Sequence, residues 1–190
     1  QREGVGAVLA NGIMYASKEW GLQDLAIHVK GLEPGGYDPR VLKGMGLAYA
    51  VSDRGGCHLR ATVYKAELSG LMPPDQIEGK AELLIDFEDR HTLFDSLIVC
   101  RFFRDLYPWE KISLLIKGTT GMDLDKNQLQ KLAANITNKT REFNLREGMS
   151  KLDTLPKRFF QEKLEDSGKV LLKSDFDRML SDYYNIRGWN

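Results

Sequence analysis

Helical patterning between Asp125 and Gly148 constrains the fold of this 190-residue chain more than any other feature. Asp125, followed three residues later by Gln128, has the pattern of a capping box at the start of a helix, and Gly148 is a typical helix end. Apolar residues between them recur three or four positions apart, the period of one helix face: Leu129, Leu132, Ala133, Ile136 and Phe143. The segment therefore predicts a long amphipathic helix.

Most of the remaining chain repeats this helical period, and almost no stretch alternates as a strand does. The apolar run that contains residues 94–103 and ends near Pro108 is hydrophobic nearly all round, which predicts a central buried helix. We also expect helices over 5–20, 39–53, 77–90 and 109–117, and a last one capped by Ser174. These patterns predict an all-α fold, a single domain of about seven helices spanning residues 1–190.

Charge and cysteine content exclude several classes of function. Lysine plus arginine and aspartate plus glutamate balance at 27 each, so we expect no nucleic-acid partner. No apolar run approaches the roughly 20 residues of a membrane helix, so we expect no membrane partner. Cys57 and Cys100 form no zinc-type spacing, which favours a reducing, cytoplasmic setting. Because the chain starts at Gln1 without an initiating methionine, we expect a piece of a longer protein.

The stretch SDRGGCHLRA, residues 52–61, contains the first candidate for chemistry. Gly55 and Gly56 allow a tight turn after a helix, and His58 follows between Arg54 and Arg60. A histidine on a rigid turn beside a cavity can give or take a proton near neutral pH. The alternative is a structural histidine held by hydrogen bonds, which is the commoner case for an isolated histidine.

The stretch FDSLIVCRFF, residues 94–103, contains the other two candidates. Asp95 is a carboxylate in an apolar run, so it needs a partner, exposure, or a role as a helix cap; otherwise it could bind a donor group of a ligand. Cys100 is either a small buried apolar residue or one member of a metal site. On a regular helix these two residues, five positions apart, would not share a face.

The motifs GYDPRVLKGMGLAYAVSDRGGCHLRA and DSLIVCRFF together resemble the C-terminal domain of the tungsten-containing aldehyde:ferredoxin oxidoreductase family. The segments 141–159 and 183–189 are similar to the closing part of that family. The resemblance implies a helical domain of an enzyme that oxidises small aldehydes to carboxylic acids and passes the electrons to ferredoxin. It also implies two cofactors, a tungsten (or molybdenum) bis-pterin and a [4Fe–4S] cluster.

Three residues match functional positions of that family. The resemblance implies that Cys100 is the fourth cysteine of the cluster, that Asp95 binds the pterin, and that His58 lies near the metal as a proton donor or acceptor. Ile98 and Val99 depart from the Gly-Leu pair that often precedes the family cysteine. The family's three other cluster cysteines have no counterpart here, and a cubane cluster takes four.

We therefore expect the isolated chain to be inactive and the upstream domains of the same polypeptide to complete the site. This hypothesis predicts that His58, Asp95 and Cys100 converge on one concave, exposed and partly apolar surface. One alternative is a helical interaction module in which the cysteine and the aspartate are structural. Another is the same fold with a different reaction, because fold and function separate readily.

Overall fold

The computed structural model describes residues 2–189, and its regular structure is helical. Within this range nine α-helices and one 3₁₀ helix follow in chain order, and the only β pairing is an isolated bridge between Val29 and Leu32. The helices are α1 Val5–Leu9, α2 Ile13–Glu19, α3 Lys43–Val51, α4 Tyr64–Leu68, α5 Lys80–Ser96, the 3₁₀ helix Arg101–Leu106, α6 Trp109–Thr120, α7 Lys126–Arg146, α8 Lys157–Gln161 and α9 Lys173–Arg187. The all-α prediction is confirmed, with more and shorter helices than the seven expected.

Helix α5 connects two clusters of buried apolar side chains. Ala81 and Leu84, in its first half, pack in a large cluster with α3 and α9. Leu93 and Phe94, in its last turns, pack in a smaller cluster with α6 and α7. The C-terminal end of α5, which carries Asp95, is therefore held by the smaller cluster.

Several expected helices differ in their bounds: the helix predicted over 77–90 is Lys80–Ser96, and the one over 109–117 is Trp109–Thr120. The expected capping of the last helix by Ser174 is wrong, because α9 begins at Lys173 and Leu172 is its N-cap. The first two helices differ for local reasons. The predicted helix over 5–20 is broken at Gly12, whose φ of 86° separates α1 from α2. The predicted helix over 39–53 begins only at Lys43, after a turn in which Leu42 N–H donates to Asp38 O. The capping box of α7 is confirmed: Gln128 N–H donates to Asp125 Oδ1 at 2.8 Å, and Asp125 N–H to Gln128 Oε1 at 2.9 Å.

The prediction of a central buried helix over the run 94–108 is wrong. Helix α5 ends at Ser96, and Ile98 adopts a left-handed conformation with φ 57°. The chain then runs through Cys100 into the 3₁₀ helix, none of whose residues is buried. Ile98 is 93% and Phe102 is 88% exposed. No helix in residues 2–189 is both long and apolar enough to cross a membrane.

Because His91 on α5 is buried, we expect the folded protein to lose stability at mildly acidic pH. Its Nδ1 donates to Phe87 O at 2.6 Å, and burial lowers its pKa to about 4. Between pH 6.5 and 4 the unfolded chain binds a proton that the folded chain does not, so stability falls as the pH falls through this window. A displacement from 6.5 to about 4 corresponds to roughly 3 kcal/mol.

The measurement is the free energy of unfolding at pH 7 and pH 4 for the native sequence and for His91→Gln. The glutamine amide can still donate to a carbonyl but does not titrate. We expect the native sequence to lose about 3 kcal/mol more than the variant between the two pH values. Parallel pH profiles would show that His91 is not the group responsible.

Candidate functional site

The turn that carries His58 is packed against the loop of residues 29–34. A Cβ on Gly55 would lie 2.0 Å from Val29 O, and one on Gly56 would lie 2.6 Å from Leu32 O. Gly55 also has a φ of 91°, which confirms the tight turn predicted for this pair of glycines. Only glycine allows this close approach, so the position of the turn is fixed by the loop beneath it.

Lys30 holds that loop in place. Its Nζ donates to Ala50 O at 2.8 Å and to Ser52 O at 2.7 Å, and so satisfies carbonyls at the C-terminal end of α3. The same Nζ lies 2.8 Å from the buried carboxylate of Asp153. The ammonium group of Lys30 thus links three parts of the chain: its own loop, the C-terminal end of α3 and the loop around residue 153.

His58 is half-buried beside an aromatic pair. Its ring centroid lies 5.6 Å from that of Tyr37, which stacks on Tyr64 at 3.9 Å. A Cβ on Gly35 would come within 3.1 Å of His58 Nδ1. No hydrogen bond from residues 2–189 reaches the imidazole, so the alternative of a histidine held by hydrogen bonds finds no support there.

Asp95 lies in the last turn of α5, where it is 41% exposed at its side chain. The interpretation of this residue as a helix N-cap is wrong, because α5 passes through it. A carboxylate at a helix C-terminus is unfavourable with the helix dipole, so a compensating positive charge is expected. Two arginines supply that charge.

Arg60 and Arg101 both bind Asp95, and we call this arrangement the arginine clamp. Arg60 Nη1 donates to Asp95 Oδ2 at 2.6 Å, and Arg60 Nε also donates to Asp53 at 2.7 Å. Arg101 donates through Nε to Oδ1 at 2.9 Å and through Nη2 to Oδ2. A carboxylate has about four acceptor positions, so the three N–H groups leave one for a ligand.

Cys100 is an exposed free thiol, and the alternative of a buried apolar cysteine is wrong. It precedes Arg101 directly, in an extended residue between the end of α5 and the 3₁₀ helix. Cys57 differs in every respect: it is 3% exposed, and Leu59 N–H donates to its Sγ at 3.4 Å. Only one of the two thiols is therefore available at the surface.

The arginine clamp brings the two candidate stretches, residues 52–61 and 94–103, together. Arg60 is two residues from His58 and Arg101 is adjacent to Cys100, and consecutive Cα atoms are only about 3.8 Å apart. A cavity of about 300 Å³ opens beside Asp95 and both arginines, with polar walls from α5 and α7. The side chains of His58 and Cys100 do not line that cavity. The structure thus brings the chain segments that carry these residues close together, but it does not place the three side chains in one pocket.

The clamp is not apparent from the sequence. The sequence indicates Arg60 only as a neighbour of His58 and gives no separate reason to expect a role for Arg101. The available signal was the position of each arginine beside a candidate residue, together with the need of Asp95 for a partner. Among residues 2–189 no group of three or more histidine, cysteine or acidic side chains could hold a metal ion.

A family model described as aldehyde ferredoxin oxidoreductase, domains 2 and 3, matches residues 1–190. The chain belongs to the aldehyde ferredoxin oxidoreductase family.

Its similar curated relatives are archaeal tungsten-containing aldehyde ferredoxin oxidoreductases. The protein of Pyrococcus furiosus is 34% identical over 195 residues, which cover 100% of this chain and 32% of the relative. That of Thermococcus kodakarensis is 32% identical over 194 residues, and that of Pyrococcus horikoshii is 31% identical over 195. The chain therefore spans about a third of the length of these relatives.

Proposed function

We propose that the polypeptide containing this chain oxidises small aldehydes to carboxylic acids and passes the electrons to ferredoxin. In this proposal the chain is a C-terminal helical domain, residues 1–190, which supplies His58, Asp95 and Cys100 to a shared reaction site. The observation that carries the proposal is the arginine clamp, because it joins the segments of all three residues through one carboxylate. Nothing in the two buried apolar clusters requires that juxtaposition.

Cys100 fits the role of one ligand of a [4Fe–4S] cluster. Its thiol is free and exposed, so it is accessible to a cluster held partly by another domain. A cubane cluster takes four cysteines, and Cys57 is buried and engaged by a backbone N–H. Upstream domains would supply the other three ligands, so we expect the isolated chain to be inactive.

Asp95 and His58 fit the pterin side of the site. The remaining acceptor position on Asp95 suits an N–H donor of a pterin ring, and the clamp holds the carboxylate in a fixed orientation. His58 has a ring free of hydrogen bonds from residues 2–189 and would serve as a proton donor or acceptor. A bound tungsten (or molybdenum) bis-pterin would supply the two-electron oxidation, with water as the oxygen source.

The exposed apolar side chains near Cys100 support contact with upstream domains of the polypeptide. Ile98, Phe102 and Leu106 are 93%, 88% and 65% exposed and follow one another within nine residues. Side chains of this size rarely cluster on a free surface unless another surface covers them. This feature disfavours a self-contained interaction module with a polar surface, which was the alternative hypothesis.

The experiment is metal analysis of the intact polypeptide, purified without oxygen, with Cys100→Ser and Cys57→Ser as a matched pair. We expect about four irons and one tungsten or molybdenum per native polypeptide, with the visible absorption of a cluster. Cys100→Ser should lose most of the iron and that absorption, because serine does not replace a thiolate ligand well. Cys57→Ser should retain both.

Two results would contradict the proposal. Absence of metal from the native polypeptide would remove the redox function altogether. Equal iron content in the native polypeptide and in Cys100→Ser would show that Cys100 is not a ligand. Loss of iron in both cysteine variants to the same degree would point to misfolding rather than to ligation, which circular dichroism of each variant would reveal.

A further inference from the structure

A second cavity, of about 620 Å³, lies between α4, the last three turns of α5 and the 3₁₀ helix. Its walls include Tyr64 and Lys65 from α4, Arg90 and Phe94 from α5, and Arg104 from the 3₁₀ helix. His58, Asp95 and Cys100 do not line it. The cavity is therefore distinct from the site around the arginine clamp, and its volume is in the range of small-molecule sites.

The walls carry an excess of positive charge. Lys65 is neutralised by Asp105, whose Oδ2 lies 2.6 Å from its Nζ. Arg104 has no carboxylate within salt-bridge distance among residues 2–189, and its Nη1 donates only to Arg101 O at 2.9 Å. Arg90 lies over the Phe87 ring, and its Nε is 3.3 Å from Asp86 Oδ2 without hydrogen-bond alignment.

Both arginines present a buried donor that lacks an acceptor. Among residues 2–189 five buried side-chain polar atoms have no hydrogen-bond partner, and two of them are the Nε atoms of Arg90 and Arg104. Buried N–H groups are nearly always bonded, so these two donors are exceptions. Because both Nε atoms have almost no accessible surface, a ligand in the cavity would reach each arginine through its terminal Nη groups. Burial above all, and then Arg101, Arg90 and Arg104, lowers the pKa of the adjacent His91, which agrees with a positive potential there.

The rest of the lining is apolar and aromatic, contributed by Tyr64, Leu68, Leu71, Phe87 and Phe94. A bare inorganic anion would leave these side chains without a contact, whereas an anion attached to a ring or an alkyl group would bury them. We propose that this cavity binds a small carboxylate with an apolar body, its oxygens received by the guanidinium groups of Arg90 and Arg104. Planar guanidinium groups match carboxylate geometry well.

The proposal does not depend on the redox function and is tested by direct binding. The probe is 4-fluorobenzoate, titrated into the intact polypeptide and followed by fluorine NMR. We expect saturable binding in the millimolar range or tighter. The neutral isostere 4-fluorobenzamide and inorganic phosphate should each bind at least about tenfold more weakly, because one lacks the charge and the other lacks the apolar body. Equal binding of either one would overturn the proposal.

Variants then locate the site. Arg104→Gln and Arg90→Gln should each weaken 4-fluorobenzoate binding at least about tenfold, because each removes a charged hydrogen-bond donor. Arg146→Gln removes an exposed arginine outside the cavity and should leave binding unchanged. If Arg104→Gln does not fold, Arg90→Gln decides, and unchanged binding in it would overturn the proposal.

Discussion

Replacing Lys80 by methionine is expected to lower the free energy of unfolding by about 3–5 kcal/mol. Lys80 and Glu67 are both 0% exposed at their side chains, with Lys80 Nζ 2.8 Å from Glu67 Oε1. The ammonium group also donates to Pro73 O at 3.0 Å. Burial raises the pKa of Glu67, partly opposed by Lys80. Removing the cation leaves a buried carboxylate that must either stay unpaired or take up a proton.

The double variant Lys80→Met/Glu67→Gln separates the two contributions. Glutamine keeps an oxygen that can accept from Gly44 N–H, which lies 2.9 Å from Glu67 Oε1, but carries no charge. We therefore expect the double variant to be more stable than Lys80→Met alone. Lys139→Met, at an exposed pair with Glu142, is the matched surface control and should change stability little. Chemical denaturation of the native protein and the three variants measures their free energies of unfolding. Equal losses of stability in the single variant Lys80→Met and in the double variant would contradict the expected role of the unpaired carboxylate.

The fold was predictable wherever local signals and burial agreed. Asp125 and Gln128 define the start of α7 in the sequence and form the same capping box in the structure. The run 97–106 is the opposite case, because its apolar residues were interpreted as core although most of them are exposed. Composition measures how apolar a segment is, but it does not say whether the covering surface belongs to this chain. A segment that contacts another domain has the same composition as a core helix.

The site was predictable only as separate residues. The resemblance to the family pointed to His58, Asp95 and Cys100, and the structure brings their segments together. It did not point to the clamp, because Arg60 and Arg101 are distant in sequence and meet only when the end of α5 packs beside the turn after α3. The cavity with Arg90 and Arg104 was missed for the same reason, since unbonded donors can be recognised only from three-dimensional contacts.

Gly55→Ala is expected to displace the turn that carries His58 and to abolish most activity of the intact polypeptide. The new Cβ would lie 2.0 Å from Val29 O, and the φ of 91° is unfavourable for alanine. Because the obstacle is backbone that Lys30 fixes to α3 and Asp153, the turn rather than the loop must move. Overpacking and the strained φ together should cost roughly 3 kcal/mol of stability.

The matched control is Gly36→Ala, on the loop near His58, where a Cβ would meet no atom within 4 Å and the φ is outside the left-handed region. We expect this variant to keep its stability, its metal content and its rate of aldehyde oxidation. In Gly55→Ala the rate should fall more than the tungsten content, because the turn positions His58 and Arg60 rather than binding the metal. An equal rate in Gly55→Ala and the native polypeptide would show that the position of this turn does not matter to the reaction. It would also contradict the proposed role of His58 in that reaction.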